Sequence, residues 1–172
     1  MKPWLTPVEQ PSLFAAMTEV SAIAVEDVVV GLWQALSRRD WDGVKTFLTD
    51  DCLYVDMPIP ALSARGPENI VKRLKVGLKP LAGYENHDGL LLSNGSDVTY
   101  EHSETWTFPT GERGVLRFVT VHKVVLQNGE AKIAVWKDYW DMTSLVSFAP
   151  PNHFEALATG DTSWIFDASG LI

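Results

Sequence analysis

Apolar residues recur at helical spacing through the first part of the chain and at alternate positions through the second. Between Ala22 and Arg39, the residues Val25, Val28, Val29, Leu32, Trp33 and Leu36 form one stripe, which predicts a helix. Asp42 is placed to cap a short second helix carrying Val44, Phe47 and Leu48. Cys52 to Met57 reads as a short strand stopped by Pro58 and Pro60. Gly66-Pro67-Glu68 opens a third helix, with Ile70, Val71, Leu74 and Leu78 inward, which ends before Pro80. Lys72, Arg73 and Lys75 read as its solvated face.

Four alternating runs follow: Tyr84 to Leu92, Asp97 to Phe108, Gly114 to Leu126 and Ala131 to Asp141. The turns Ser93-Asn94-Gly95, Pro109-Thr110-Gly111 and Asn128-Gly129 separate them, which implies a meander. The expected fold is α+β: a curved antiparallel sheet with the N-terminal helices packed on one face, enclosing a pocket. Residues 1–21, with Pro3, Pro7 and Pro11, read as an extended N-terminal arm, and residues 22–148 as the catalytic domain. Residues 149–172 read as a tail. Its Phe154, Trp164, Ile165 and Phe166 are too apolar to leave in water, so it is expected to pack on the domain or on a partner subunit.

The strand faces carry the chemistry. One face of the second run reads Val98, Tyr100, His102, Glu104, Trp106, Phe108, while the other is wholly polar. The first face must point inward, yet two ionisable groups sit in its middle, and burying them is costly unless they are paired or open to a cavity. The last run repeats the pattern: Asp138 shares a face with Ala134, Trp136 and Trp140. The run between them offers Leu116, Phe118, Thr120, His122, Val124 and Leu126. If these faces line one concavity, carboxyl and imidazole groups meet inside a shell of aromatic rings, an arrangement suited to proton transfer. A buried His–Glu pair can equally be a satisfied core network. Glu101 and His87 are expected outside, and His153 has no assignable role.

Composition narrows the classes. The chain has 172 residues with 46% hydrophobic and 21% charged, the balance of one globular domain. A net charge of −8 argues against nucleic acid and anionic membranes as partners. Seven Trp suit either core filling and a dimer interface or a pocket for flat apolar ligands. The single Cys52 follows Asp50 and Asp51, reads as structural, and favours a cytoplasmic location. No secretory signal is read at the N-terminus. No metal-ligand spacing, nucleophile elbow or nucleotide-binding glycine loop occurs, so a cofactor-independent site without metal is expected.

Tyr54-Val55-Asp56-Met57-Pro58-Ile59-Pro60, Glu101-His102-Ser103-Glu104 and Trp136-Lys137-Asp138-Tyr139-Trp140-Asp141 resemble stretches of the limonene-1,2-epoxide hydrolase family, within the nuclear-transport-factor-two-like (NTF2-like) superfamily. The resemblance covers roughly Val25 to Val146. It implies a cone-shaped pocket and a homodimer. In that family a Tyr and an Asn hold a water, and an Asp–Arg–Asp set activates it. Here Tyr54 keeps the Tyr and Asp138 keeps one Asp. Asp56 stands at the Asn position, His102 at the Arg position and Glu104 at the other Asp position. A permanent cation is thus replaced by a titratable group. Scytalone dehydratase, ketosteroid isomerase and cofactorless lyases of lignin-derived aromatic dimers are similar in scaffold.

The reading is a lyase or dehydratase for an aromatic hydroxylated small molecule, proceeding through a quinone methide. Asp138 is the expected base. His102, oriented by Glu104, is the expected acid, and Tyr54 and Asp56 hold a substrate hydroxyl. Trp106, Phe118, Thr120, His122, Trp136 and Trp140 are the expected substrate contacts. An epoxide hydrolase and a non-catalytic ligand-binding module are the alternatives.

Overall fold

The structure, a computed structural model, describes residues 13–153, 155 and 160–171, with side chains from Val25 onward. Pro3, Pro7, Pro11 and Phe154 lie outside the described residues. Helix α1 spans Leu13–Ser37 and begins nine residues before the expected start. Residues 13–21, assigned to the extended arm, are helical. They contain no Pro or Gly and are rich in Ala, Leu, Met and Glu, all strong helix formers. Helix α2 (Trp41–Thr46) is capped by Asp40, which accepts from the Gly43 amide at 2.9 Å; Asp42, the expected cap, sits in the first turn. Helix α3 (Pro67–Leu78) starts with Pro67 just inside its end and Gly66 outside it at φ 80°. That backbone geometry is open to Gly and strained for other residues.

The strands are β1 (Leu48–Asp56), β2 (Ser63–Arg65), β3 (Gly83–Asn94), β4 (Asp97–Thr107), β5 (Arg113–Gln127), β6 (Glu130–Trp140) and β7 (Ile165–Phe166). A short helix α4 (Met142–Val146) follows β6, capped by Asp141. The sheet order is β3-β4-β5-β6-β1-β2-β7. The meander β3 to β6 is antiparallel, but β1 runs parallel to β6, so the sheet is mixed rather than antiparallel throughout. Parallel neighbours need a long crossover. Everything between β1 and β6 supplies it, and no local signal within either strand announces the pairing.

The α1 stripe of Val25, Val29, Leu32, Trp33 and Leu36 is buried, together with the inward residues of β4, β5 and β6. On β4 the alternate residues from Val98 to Trp106 are all buried, as is Phe108 just beyond the strand. On the opposite face Thr105 is also covered, its hydroxyl 2.8 Å from His87 Nε2. Tail residues close the far edge of the sheet: β7 pairs with β2, the Ala168 amide donates to the Pro60 carbonyl at 3.0 Å, and Trp164 is buried. Among the described residues, no helix is long and apolar enough to cross a membrane.

The register of β3 against β4 shifts between Asp88 and Leu91, where Gly89 lies against the neighbouring backbone. A Cβ at Gly89 would stand 2.1 Å from the Glu101 carbonyl oxygen, so alanine fits only if the strands part. Gly89→Ala is expected to cost about 1–3 kcal/mol in urea unfolding. An unchanged midpoint would show that the bulge yields freely.

Candidate functional site

The sheet registers bring the polar inward residues together. Tyr54 and Asp56 on β1 lie beside Trp136 and Asp138 on β6, and Glu104 on β4 lies across from Leu116 on β5. Their side chains converge on a hollow under α1 and α3 that leaves about 50 Å³ for the centres of water-sized molecules. Three carboxyl groups line it: Asp56, Glu104 and Asp138. Its apolar walls are built largely from Trp33, Trp106, Phe118, Trp136 and Trp140.

Each carboxyl is held differently. Asp138 accepts from the Tyr54 hydroxyl at 2.9 Å and from Trp136 Nε1 at 2.5 Å. Glu104 accepts from the Tyr84 hydroxyl at 2.7 Å and from Trp106 Nε1 at 2.8 Å. The two acids therefore share one design, a phenol and an indole on each carboxyl. Asp56 accepts from Trp140 Nε1 at 2.7 Å and forms an ion pair with Arg73 of α3.

Burial decides the protonation of the first two. It pushes Glu104 up to about 7, against the bonds from Trp106 and Tyr84, which favour the anion. Burial, aided by the charge of Asp56, holds Asp138 well above the usual carboxylate range, against the bonds from Trp136 and Tyr54. Tyr54 and Tyr84 are likewise raised by burial and by the acids they face, so both phenols stay protonated.

The expected His102–Glu104 pair does not form. The two residues share a face of β4, but β3 supplies each with another partner. Glu104 is taken by Tyr84, and His102 Nδ1 donates to Asn86 Oδ1 at 2.8 Å. The His102 ring is stacked between Tyr100 and Phe118, with centroids at 4.8 and 5.1 Å, and Trp33 packs on it at 4.2 Å. It does not line the hollow. Burial pushes its pKa down to about 3, with Asp88 opposing, so the imidazole is neutral at physiological pH and is no cationic acid. His122 is fully buried, also lowered to about 3 by burial and by His102, and lies beside Trp136 rather than on the hollow. Thr120 is buried as well, its hydroxyl turned to the Tyr100 carbonyl at 3.3 Å. Of the expected substrate contacts, Trp106, Phe118, Trp136 and Trp140 line the hollow, whereas Thr120 and His122 do not.

Three residues of the site were missed. Arg73 is largely covered, with 12% of its side chain exposed, and is not on a solvated face; it lies three residues after Ile70 and four before Gly77, at the flank of the inward stripe. In the sequence Tyr84 marks only the start of a strand, and Trp33 belongs only to the helix stripe. Cys52 is buried away from the site, and burial and Asp51 raise its thiol to about 12. Among the described residues no cluster of three or more metal-ligating side chains occurs.

The Glu104 shift has a stability consequence. The native carboxyl holds its proton up to about pH 7, while the unfolded one releases it near 4.5. Stability from this group is complete below 4.5 and is lost as pH rises through 7, by roughly 3 kcal/mol. Urea unfolding of the native chain and of Glu104→Gln is therefore expected to diverge between pH 4.5 and 8, in favour of the variant at high pH. Parallel stability curves would contradict the shift.

No protein-family model matches the chain, and no curated protein matches it in sequence. Solved structures do match in fold. An NTF2-like protein from Burkholderia pseudomallei K96243 superposes with a TM-score of 0.62 at 19% identity, over 72% of this chain and 95% of that one. An LEH-like epoxide hydrolase from M. tuberculosis gives 0.60 at 20% identity, over 79% and 96%. A Δ5-3-ketosteroid isomerase from Mycobacterium sp. gives 0.58 at 18% identity, over 70% and 95%. A curved mixed sheet with helices over one face, a hollow between them and these structural neighbours together give the chain an NTF2-like cone-shaped α+β fold.

Proposed function

We propose that this chain is a cofactor-independent acid–base enzyme of lyase or dehydratase type, acting on a hydrophobic, aromatic hydroxylated small molecule. The observation that carries the reading is the pair of buried acids, Glu104 and Asp138, on one aromatic hollow, each held by a phenol and an indole. Glu104, balanced near 7, is the base. Asp138, held well above the usual carboxylate range by burial and bonded by Tyr54, is the acid. These roles replace the assignment of His102 as acid and Asp138 as base.

With a para-hydroxyaryl substrate, Glu104 takes the phenol proton. The electron pair moves through the ring, the benzylic C–O bond breaks, and the hydroxyl leaves as water with the proton of Asp138. The product is a quinone methide. A neighbouring hydroxymethyl group can then lose its O–H proton to the Asp138 carboxylate, which regains the proton it gave, and depart as formaldehyde, its C–C electrons restoring the aromatic ring as a phenolate that takes its proton back from Glu104. The hollow leaves only about 50 Å³ for the centres of water-sized molecules, so the second ring of a dimeric substrate lies outside it. Two structural neighbours are named as small-molecule enzymes, an epoxide hydrolase and a ketosteroid isomerase, which supports an enzymatic use of this scaffold.

One observation favours a second reading. Arg73 brings a cation to Asp56 beside Tyr54 and Asp138, so a cation absent from the aligned strand position enters from a helix. That set would suit opening of an epoxide by water, and diol bearing oxygen-18 from labelled water would support it.

With a panel of para-hydroxyaryl propanediols, aldehyde release is expected. The kcat/KM should rise with pH and level off above about 7, as Glu104 loses its proton. Glu104→Gln and Asp138→Asn should each lower turnover by about 10²- to 10⁴-fold. No turnover across the panel, with ligand affinity intact in both variants, would point to a binding module.

A further inference from the structure

We propose that Arg73 is the anchor for an anionic oxygen of the ligand in this hollow, and that Trp164 of the C-terminal tail is its positioning residue. The inference deepens the acid–base reading above by naming the ligand class: a flat, apolar molecule carrying a weakly acidic O–H, such as a phenol or an enol.

The donors around the hollow are nearly all spent. The Tyr54 and Trp136 donors are on Asp138, the Tyr84 and Trp106 donors are on Glu104, and Trp140 is on Asp56. Among the described lining residues, two buried N–H groups have no hydrogen-bond partner: Arg73 Nε and Trp33 Nε1. Only Arg73 carries charge, and a guanidinium keeps it at any working pH. A buried donor without an acceptor is costly, and an anionic oxygen is the acceptor that relieves it best. Asp56 does not meet this need. Its carboxyl is almost wholly buried and is divided between Trp140 Nε1 and another nitrogen of Arg73.

The charges balance. Arg73 and Asp56 cancel. When a ligand O–H bond breaks and its proton forms an O–H bond on Glu104, negative charge moves from Glu104 to the ligand oxygen. The net charge of the hollow is unchanged, and the new anion lies in the field of the guanidinium.

The tail holds that guanidinium in place. The Arg73 Cζ lies 5.7 Å from the centroid of the Trp164 ring, which is itself buried. Trp164 is in turn fixed on both sides of the chain. Next to it, Ile165 pairs with Ala64 in the sheet and the Arg65 guanidinium lies over the Phe166 ring at 5.4 Å. Before it, Lys72 of α3 donates to the Ser163 hydroxyl at 3.0 Å and pairs with Asp161 at 3.5 Å. An arginine side chain has many rotamers; an aromatic wall on one side and Asp56 on the other restrict it to one.

The probe is 4-nitrophenol, whose anion has its own absorption band, with nitrobenzene as the neutral control. The native chain should bind 4-nitrophenol as the anion at a pH where the free compound is neutral. Trp164→Leu should weaken that binding about ten-fold, Trp164→Phe should retain most of it, and Arg73→Lys should weaken it by a similar factor. Arg73→Met combined with Asp56→Asn, which removes both charges together, should abolish the anion band. Nitrobenzene affinity should stay within about two-fold in every variant, which a merely structural role for Trp164 would not allow. The proposal is overturned if the folded native chain binds 4-nitrophenol only as the neutral form or not at all. It also fails if Trp164→Leu weakens both probes equally. The readout needs no turnover. Anion binding without catalysis would therefore support this site while counting against the lyase, and turnover without anion binding would sink this inference alone.

Discussion

Desolvation of carboxyl groups is the constraint around which the site is organised. Three acids face one aromatic hollow, and placing three negative charges there would cost several kcal/mol each. The chain meets that cost in two ways. Asp56 is paired with Arg73, so its charge is matched. Glu104 and Asp138 have no cation of their own and instead hold on to protons. The phenol and indole on each of them favour the anion, yet burial outweighs both bonds. The balance leaves Glu104 near its midpoint at neutral pH and holds Asp138 well above the usual carboxylate range, the kind of separation that general acid–base catalysis uses.

The framework of the fold serves that balance. Parallel pairing of β1 with β6 sets Tyr54 and Asp56 beside Trp136 and Asp138, while the meander carries Glu104 to the same hollow. Helix α3 closes the hollow with Arg73, and the tail backs that residue with Trp164. The tail is thus joined to the site through a ring contact and through its strand on β2.

Much of this was legible in the chain because strand parity is a strict rule. Alternation put Glu104, Trp106, Trp136, Asp138 and Trp140 on inward faces, and all of them line the hollow. The elements were legible too, from helical stripes and from turn residues. What periodicity could not convey is which neighbour a side chain chooses. His102 and Glu104 share a face two residues apart, but Asn86 and Tyr84 on the adjoining strand reach them instead. His122 and Thr120 have the right parity and are nonetheless sealed behind Trp33, Trp136 and Tyr100. Arg73 sits on the boundary between the apolar and polar sides of α3, and only the arrival of Asp56 and Trp164 decides that it turns inward. These outcomes all depend on contacts between elements distant in the chain.

The central claim is that burial keeps Glu104 near its midpoint at neutral pH and holds Asp138 well above the usual carboxylate range. Carbon-13 NMR of side-chain-labelled protein, with the two carboxyl signals assigned by Glu104→Gln and Asp138→Asn, reads this directly. The Glu104 signal should titrate around pH 7, and the Asp138 signal should titrate well above the usual carboxylate range. Both signals moving together near pH 4, as solvated carboxylates do, would contradict the account.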